Sequence, residues 1–189
     1  YRNGAQLNDL ICVTGDLGAA YMGLLLLERE KQVYLANPNM QPELEGNDYV
    51  LERQLKPEAR KDIIRLLHEA NIKPTAMIDI SDGLASDILH ICEQSNKGCV
   101  IYEDKIPIDP ATLILCDEFK IIPTIAALHG GEDYELLFTV SLSEYSKIEE
   151  IQDISLIGHI TDPSEGCQLI TNDGKQIALQ AQGWNHLRK

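Results

Sequence analysis

Met77-Ile78-Asp79-Ile80-Ser81-Asp82-Gly83-Leu84 decides the reading of this chain. An apolar run ends in two aspartates and a serine, and a glycine then opens a helical pattern in which Leu84, Ile88, Ile91 and Cys92 form one stripe. The pattern predicts a strand over 75–80 and a helix over 83–96. Asp79 and Ser81 share one face of the strand, and Asp82 falls at the turn. Helix starts of this kind present N–H groups and favour anions. Two carboxylates would repel a phosphate, but Mg²⁺ takes oxygen ligands and bridges to phosphate oxygens. The segment is therefore a candidate metal and nucleotide site at a sheet's carboxyl edge. The same residues also read as Asp82 capping the helix and Asp79 solvated on the strand. Gly83 tips the balance, because glycine costs about 1 kcal/mol inside a helix and its benefit is close approach of backbone to a ligand.

Outward from this segment, the predicted elements mix irregularly. Strands are expected at 10–15, 98–102, 133–140, 155–160 and 168–171, with a hairpin turn at Asn172-Asp173-Gly174. Helices are expected at 18–32, 58–70, 111–119, 123–128 and 143–151, the second opening near Pro57 and the last capped by Ser143. Residues 33–56 read as a loop-rich insertion with weak internal structure. The class is α+β: a layered mixed sheet with packed helices in one domain spanning 1–189.

The 189 residues carry 30 acidic against 16 basic side chains, a formal charge of −14, which argues against a nucleic-acid partner. No apolar run approaches the roughly 18 residues of a membrane span. Cys12, Cys92, Cys99, Cys116 and Cys167 are odd in number and form no C-x-x-C pair. They read as buried free thiols in a reducing, cytoplasmic compartment. The start at Tyr1-Arg2-Asn3-Gly4 lacks an initiator Met and a signal peptide and reads as an entry into a longer chain.

Two further segments are candidates. Gly130-Gly131-Glu132-Asp133-Tyr134-Glu135 places three carboxylates behind a double glycine, where one can meet a cationic ligand or all can guard an edge strand. Trp184, between Gly183 and Asn185, either closes over a flat ring or pins the tail. The histidines show no H-x-x-x-H spacing, and neither a P-loop nor a G-x-S-x-G elbow occurs.

Arg2-Asn3-Gly4-Ala5, Val13 to Gly18, Ala76 to Leu84, Gly130 to Val140 and Gly183 to His186 together resemble the thiamine-monophosphate kinases of the aminoimidazole-ribonucleotide-synthetase-like superfamily. The D-x-S-D-G element is shared across that superfamily, whereas the Gly130–Val140 stretch is particular to the kinases. The resemblance implies the fold of the superfamily's carboxy-terminal domain. It also implies ATP-dependent conversion of thiamine phosphate to thiamine diphosphate, with Mg²⁺, by a protein that is a homodimer at full length. By the same resemblance, Asp79 and Asp82 are metal ligands, Arg2 and Ser81 contact ATP, and Glu132 and Trp184 hold the thiamine moiety. The family's amino-terminal ATP-binding half is missing from these 189 residues, so the fragment alone is expected to be inactive. Other ATP-using members (selenophosphate, purine-pathway or hydrogenase-maturation enzymes) and a non-catalytic acidic Mg²⁺-binding module are the alternatives.

Overall fold

The computed structural model describes residues 1–181. Seven strands form one sheet: β1 (Leu10–Thr14), β2 (Ala76–Asp79), β3 (Gly98–Tyr102), β4 (Leu136–Val140), β5 (Ile154–Thr161), β6 (Cys167–Ile170) and β7 (Gln176–Ala178), in the order β2-β4-β1-β5-β3-β6-β7. β3 and β6 run parallel, and the other neighbouring pairs are antiparallel. The helices are α1 (Ala19–Ala36), α2 (Asp48–Leu55), α3 (Lys61–Glu69), α4 (Leu84–Ser95), α5 (Pro110–Phe119), α6 (Pro123–His129) and α7 (Tyr145–Ile148). This is the mixed, helix-covered sheet that the sequence predicts. Among the described residues, no helix is long and apolar enough to cross a membrane.

Period-two alternation sorts the strand side chains between two cores. Ile11, Val13, Ile78 and Leu137 join the α4 stripe of Leu84, Ile88 and Ile91 on one face. Cys12, Phe138, Val140 and Met77 meet Ile63 and Leu67 of α3 and Ile148 of α7 on the other. Ile88 and Ile91 are fully buried, each contributing about 1.5–3 kcal/mol of transfer free energy. A third cluster joins α1, α2, α5 and α6 through Met22, Leu26, Val50, Leu115 and Ala126.

Several boundaries differ from the sequence reading, each for a local reason. The stretch 33–56, expected to be loop-rich, is irregular only in its middle: α1 runs on to Ala36 and α2 occupies Asp48–Leu55. Val50 is buried, and a Cβ at Gly23 would collide with its carbonyl oxygen, so α1 and α2 meet backbone to backbone. α3 starts at Lys61, beyond Pro57, because Arg60 leaves helical geometry (ψ 56°). Ser141, not Ser143, caps the short turn before α7 by accepting the Ser143 N–H at 3.3 Å. β4 begins at Leu136 instead of Asp133, because Glu132 and Tyr134 have φ of 62° and 52°.

Two buried carboxylates tie the helices to the sheet. Asp133 caps α1 from a distance: its Oδ2 accepts the Gly18 N–H at 2.9 Å and its Oδ1 the Ala20 N–H at 3.3 Å. Gly18, which has no side chain, sits at the α1 N-cap. Glu135, with only 2% of its side chain exposed, accepts from Thr14 Oγ1 of β1 and pairs with Arg53 of α2 and Arg60, each at 2.8 Å. Removing Glu135 leaves Arg53 charged without its carboxylate partner, while Arg60 keeps Asp62 at 3.0 Å, and breaking a buried pair in this way costs about 3–5 kcal/mol. Glu135→Ala is therefore expected to lower the urea midpoint by the equivalent of about 3–5 kcal/mol without changing the denaturant slope. A midpoint matching the parent would show that the network contributes nothing net.

Candidate active-site rim

The backbone brings Asp79, Ser81 and Asp82 beside Glu132. Beyond the end of β2, Ile80 N–H donates to Glu135 O at 2.8 Å, Tyr134 N–H to Ile80 O at 2.9 Å, and Glu132 N–H to Ser81 O at 2.9 Å. The two segments thus stay laced past the point where the regular ladder stops. Positive φ at Gly131, Glu132 and Tyr134 makes this crossing possible, and for a bulky residue such as Tyr134 the conformation is strained. Asp79, Asp82 and Glu132 are exposed, and Ser81 is half-buried. Tyr134 Oη donates to Glu132 Oε2 at 3.0 Å. That bond, with the charges of Glu132, Asp79 and Asp82, raises the tyrosine pKa. Four acidic or phenolic groups therefore face one rim.

Asp82 does not cap α4. Asp87, inside the first turn, folds back so that its Oδ2 accepts the Ser81 N–H at 3.0 Å and the Asp82 N–H at 3.2 Å. Two amides that the sequence reading offered to an anion are therefore occupied, and the Asp82 carboxylate is left to the rim. Gly83 also has a different job from the one expected. It is buried, and a Cβ there would lie 2.7 Å from Leu128 O and 3.1 Å from His129 Cα, so its close approach is to the end of α6 and not to a ligand. Asp82, Asp87 and His90 bring one ligand atom each within 4.8 Å of one another, which widens the possible donor set around Asp82.

The other predicted residues come from the two ends of the chain. Arg2 lies at the far end of α4, where its carbonyl accepts from Ser95 Oγ at 3.2 Å. The carbonyl of Tyr1 accepts from Met77 N–H of β2 at 2.9 Å, so Arg2 also sits beside the strand that carries Asp79. Trp184 lies outside the described residues. The sequence reading missed Arg60, which with Asp79, Tyr134 and Leu136 lines a cavity of about 360 Å³. Its neighbour, a cleft of about 450 Å³, adds Arg53, Lys56, Tyr49 and Asp16. Asp16 Oδ1 and Arg53 Nε are buried there without a hydrogen-bond partner.

The Asp87 pKa is pushed up to about 6 by burial, with the like charge of Asp82 acting in the same direction, while the two N–H donors and His90 pull it down. An ordinary unfolded carboxylate titrates near 3.9. The folded carboxyl thus holds its proton more tightly, so its contribution is full below about pH 4 and is lost as pH rises through about 6. Asp87→Asn is expected to remove this descending limb. The parent-minus-variant difference in unfolding free energy should fall by up to about 3 kcal/mol across that window, read from urea midpoints at each pH. A pH-independent difference would place the Asp87 titration elsewhere.

Comparison with known proteins agrees with the fold. Residues 8–166 match the family model for AIR synthase related protein, C-terminal domain. A thiamine-monophosphate kinase of Buchnera aphidicola subsp. Schizaphis graminum is 39% identical over 192 residues, covering 98% of this chain and 54% of the relative. The Aquifex aeolicus thiamine-monophosphate kinase is 33% identical over 187 residues, again covering 98% and 54%. Among solved structures, AaThiL complexed with AMPPCP and TMP matches with a TM-score of 0.78 at 32% identity, covering 98% of this chain and 53% of that one. The hydrogenase maturation protein HypE of E. coli matches with a TM-score of 0.71 at 17% identity over 98% of this chain and 53% of its own, a likeness of fold alone. The chain spans about half the length of the curated relatives it matches.

Proposed function

The chain belongs to the AIR synthase related protein family, through that family's C-terminal domain, and on that premise we propose that it is the substrate-binding half, with part of the ATP and Mg²⁺ site, of a thiamine-monophosphate kinase. The observation that carries this reading is the lacing of residues 80–81 to residues 132–135, which sets the acidic pair and Glu132 on one rim. The reaction is phosphoryl transfer from ATP to thiamine phosphate, giving ADP and thiamine diphosphate. A cytoplasmic homodimer at full length goes with the reading.

Asp79 and Asp82 suit Mg²⁺: both are exposed carboxylates, and the Asp82 side chain is not engaged in capping α4. When bound there, the ion supplies charge neutralisation on phosphate oxygens. Ser81 offers its hydroxyl to the same phosphates, its N–H being taken by Asp87. Glu132, steadied by the Tyr134 hydroxyl, presents a carboxylate to the cationic thiazolium or the aminopyrimidine N–H groups of thiamine. In-line attack by the substrate's phosphate oxygen on the γ-phosphorus asks little more of the protein than positioning and an environment that tolerates three anionic groups. Arg2 and Trp184 complete the proposed set, toward ATP and thiamine respectively.

In the full-length protein, Glu132→Ala is expected to raise KM for thiamine phosphate about tenfold or more, the worth of one hydrogen bond to a charged group. Asp79→Asn and Asp82→Asn are expected to shift the Mg²⁺ dependence of activity to higher concentration. The 189-residue chain alone is expected to form no thiamine diphosphate from ATP and thiamine phosphate. Unchanged KM and Mg²⁺ titration in these variants would remove the site assignment, and turnover by the isolated chain would overturn its predicted inactivity.

A further inference from the structure

At the end of α4 remote from Asp82, three cysteines converge. Cys92 comes from the last turns of α4, and Cys99 and Cys167 are directly opposite partners on the parallel strands β3 and β6. Their sulfur atoms all lie within 4.8 Å of one another. Backbone contacts fix the two strand residues: Cys99 N–H donates to Gly166 O at 3.1 Å, and Cys167 O accepts from Leu179 N–H at 2.9 Å. Cys99 is fully buried, Cys92 is 2% exposed, and Cys167 is half-buried, so the trio opens toward solvent on one side. The surrounding core cluster is apolar, including Ile101, Ile160, Leu169 and Leu179.

We propose that Cys92, Cys99 and Cys167 form a three-sulfur site for a divalent thiophilic cation of the zinc and cadmium type. Zinc–thiolate bonds of about 2.3 Å require sulfurs roughly 3.8–4.0 Å apart, which the trio reaches by small side-chain adjustments. Binding releases the thiol protons to solvent and joins three thiolates to one cation. A divalent ion then leaves a net charge of −1 and a monovalent copper −2, and apolar surroundings penalise the larger residual charge. The fourth coordination position falls on the open side, beside Cys167, where water reaches it. Cys12 and Cys116 sit in the other two clusters and serve as internal controls.

The test uses the reduced, metal-free 189-residue protein, titrated with Cd²⁺ in excess Mg²⁺ to occupy oxygen sites. One equivalent should produce the ultraviolet thiolate-to-cadmium band, which Cys167→Ser should lose and Cys116→Ala retain. Because either variant can fold poorly, the parent protein carries a second readout. Bound cadmium should slow alkylation of Cys167 by iodoacetamide about tenfold or more, as expected when the thiolate is sequestered. Absence of the band, its persistence in Cys167→Ser, or unprotected alkylation of Cys167 would overturn the proposal.

Discussion

The interaction on which this half-sheet depends is the continued pairing of residues 80–81 with residues 132–135 after β2 and β4 have formally ended. It does three things with three acidic residues lying within four positions. Glu132 is turned outward to the rim, Asp133 is driven inward onto the start of α1, and Glu135 is sealed against Thr14 and two arginines. The left-handed residues that make this alternation possible are costly, and the buried bonds of Asp133 and Glu135 offset that cost. Local strain, helix capping and the candidate site are thus one arrangement. A change to any of the three carboxylates is felt through a different element.

Electrostatics explains why an acidic rim persists beside the Glu135 network. Arg53, Lys56 and Arg60 line the neighbouring clefts, and Arg60 reaches both Glu135 and the Asp79 cavity. The paired arginine charge is shared between a structural carboxylate and the cavity. This positions a cation near a proposed phosphate site without adding a free one. Burial also pushes Asp133 up to about 7, so the α1 cap and the Asp87 tie both hold protons more tightly than exposed carboxylates.

Much of this was legible in the residues. The period-two and helical stripes located β1, β2, β3 and α4 within a residue or so, because burial on one face leaves a strong periodic trace. The acidic pair and the double-glycine segment were recognisable as candidates for the same reason: charges beside an apolar run demand an account. What stayed hidden was long-range. Asp87 looks like an ordinary helix residue, yet it folds back to bind the Ser81 and Asp82 amides. Asp133 caps a helix 115 positions away. Gly83 advertised a close approach, but only the structure says that α6 is the partner. The three thiols are separated by up to 75 residues (92 to 167), and it takes both the β3–β6 register and the docking of α4 to bring them together.

The backbone contact between α1 and α2 at Gly23 has a consequence for engineering. α2 is held by Val50 and by the Arg53–Glu135 pair, and the chain just before it is tied down by Leu44 on the same cluster and by the Glu43 N–H donating to Glu30 at 2.8 Å. Ahead of those ties, the exposed stretch 38–42 lies between two helices already docked to each other, and lengthening such a connection costs only about 0.6 kcal/mol per doubling. A reporter peptide or fluorescent module spliced into that segment should leave the arginine cleft in register, which makes this bend the natural port for labelling the protein without disturbing its rim.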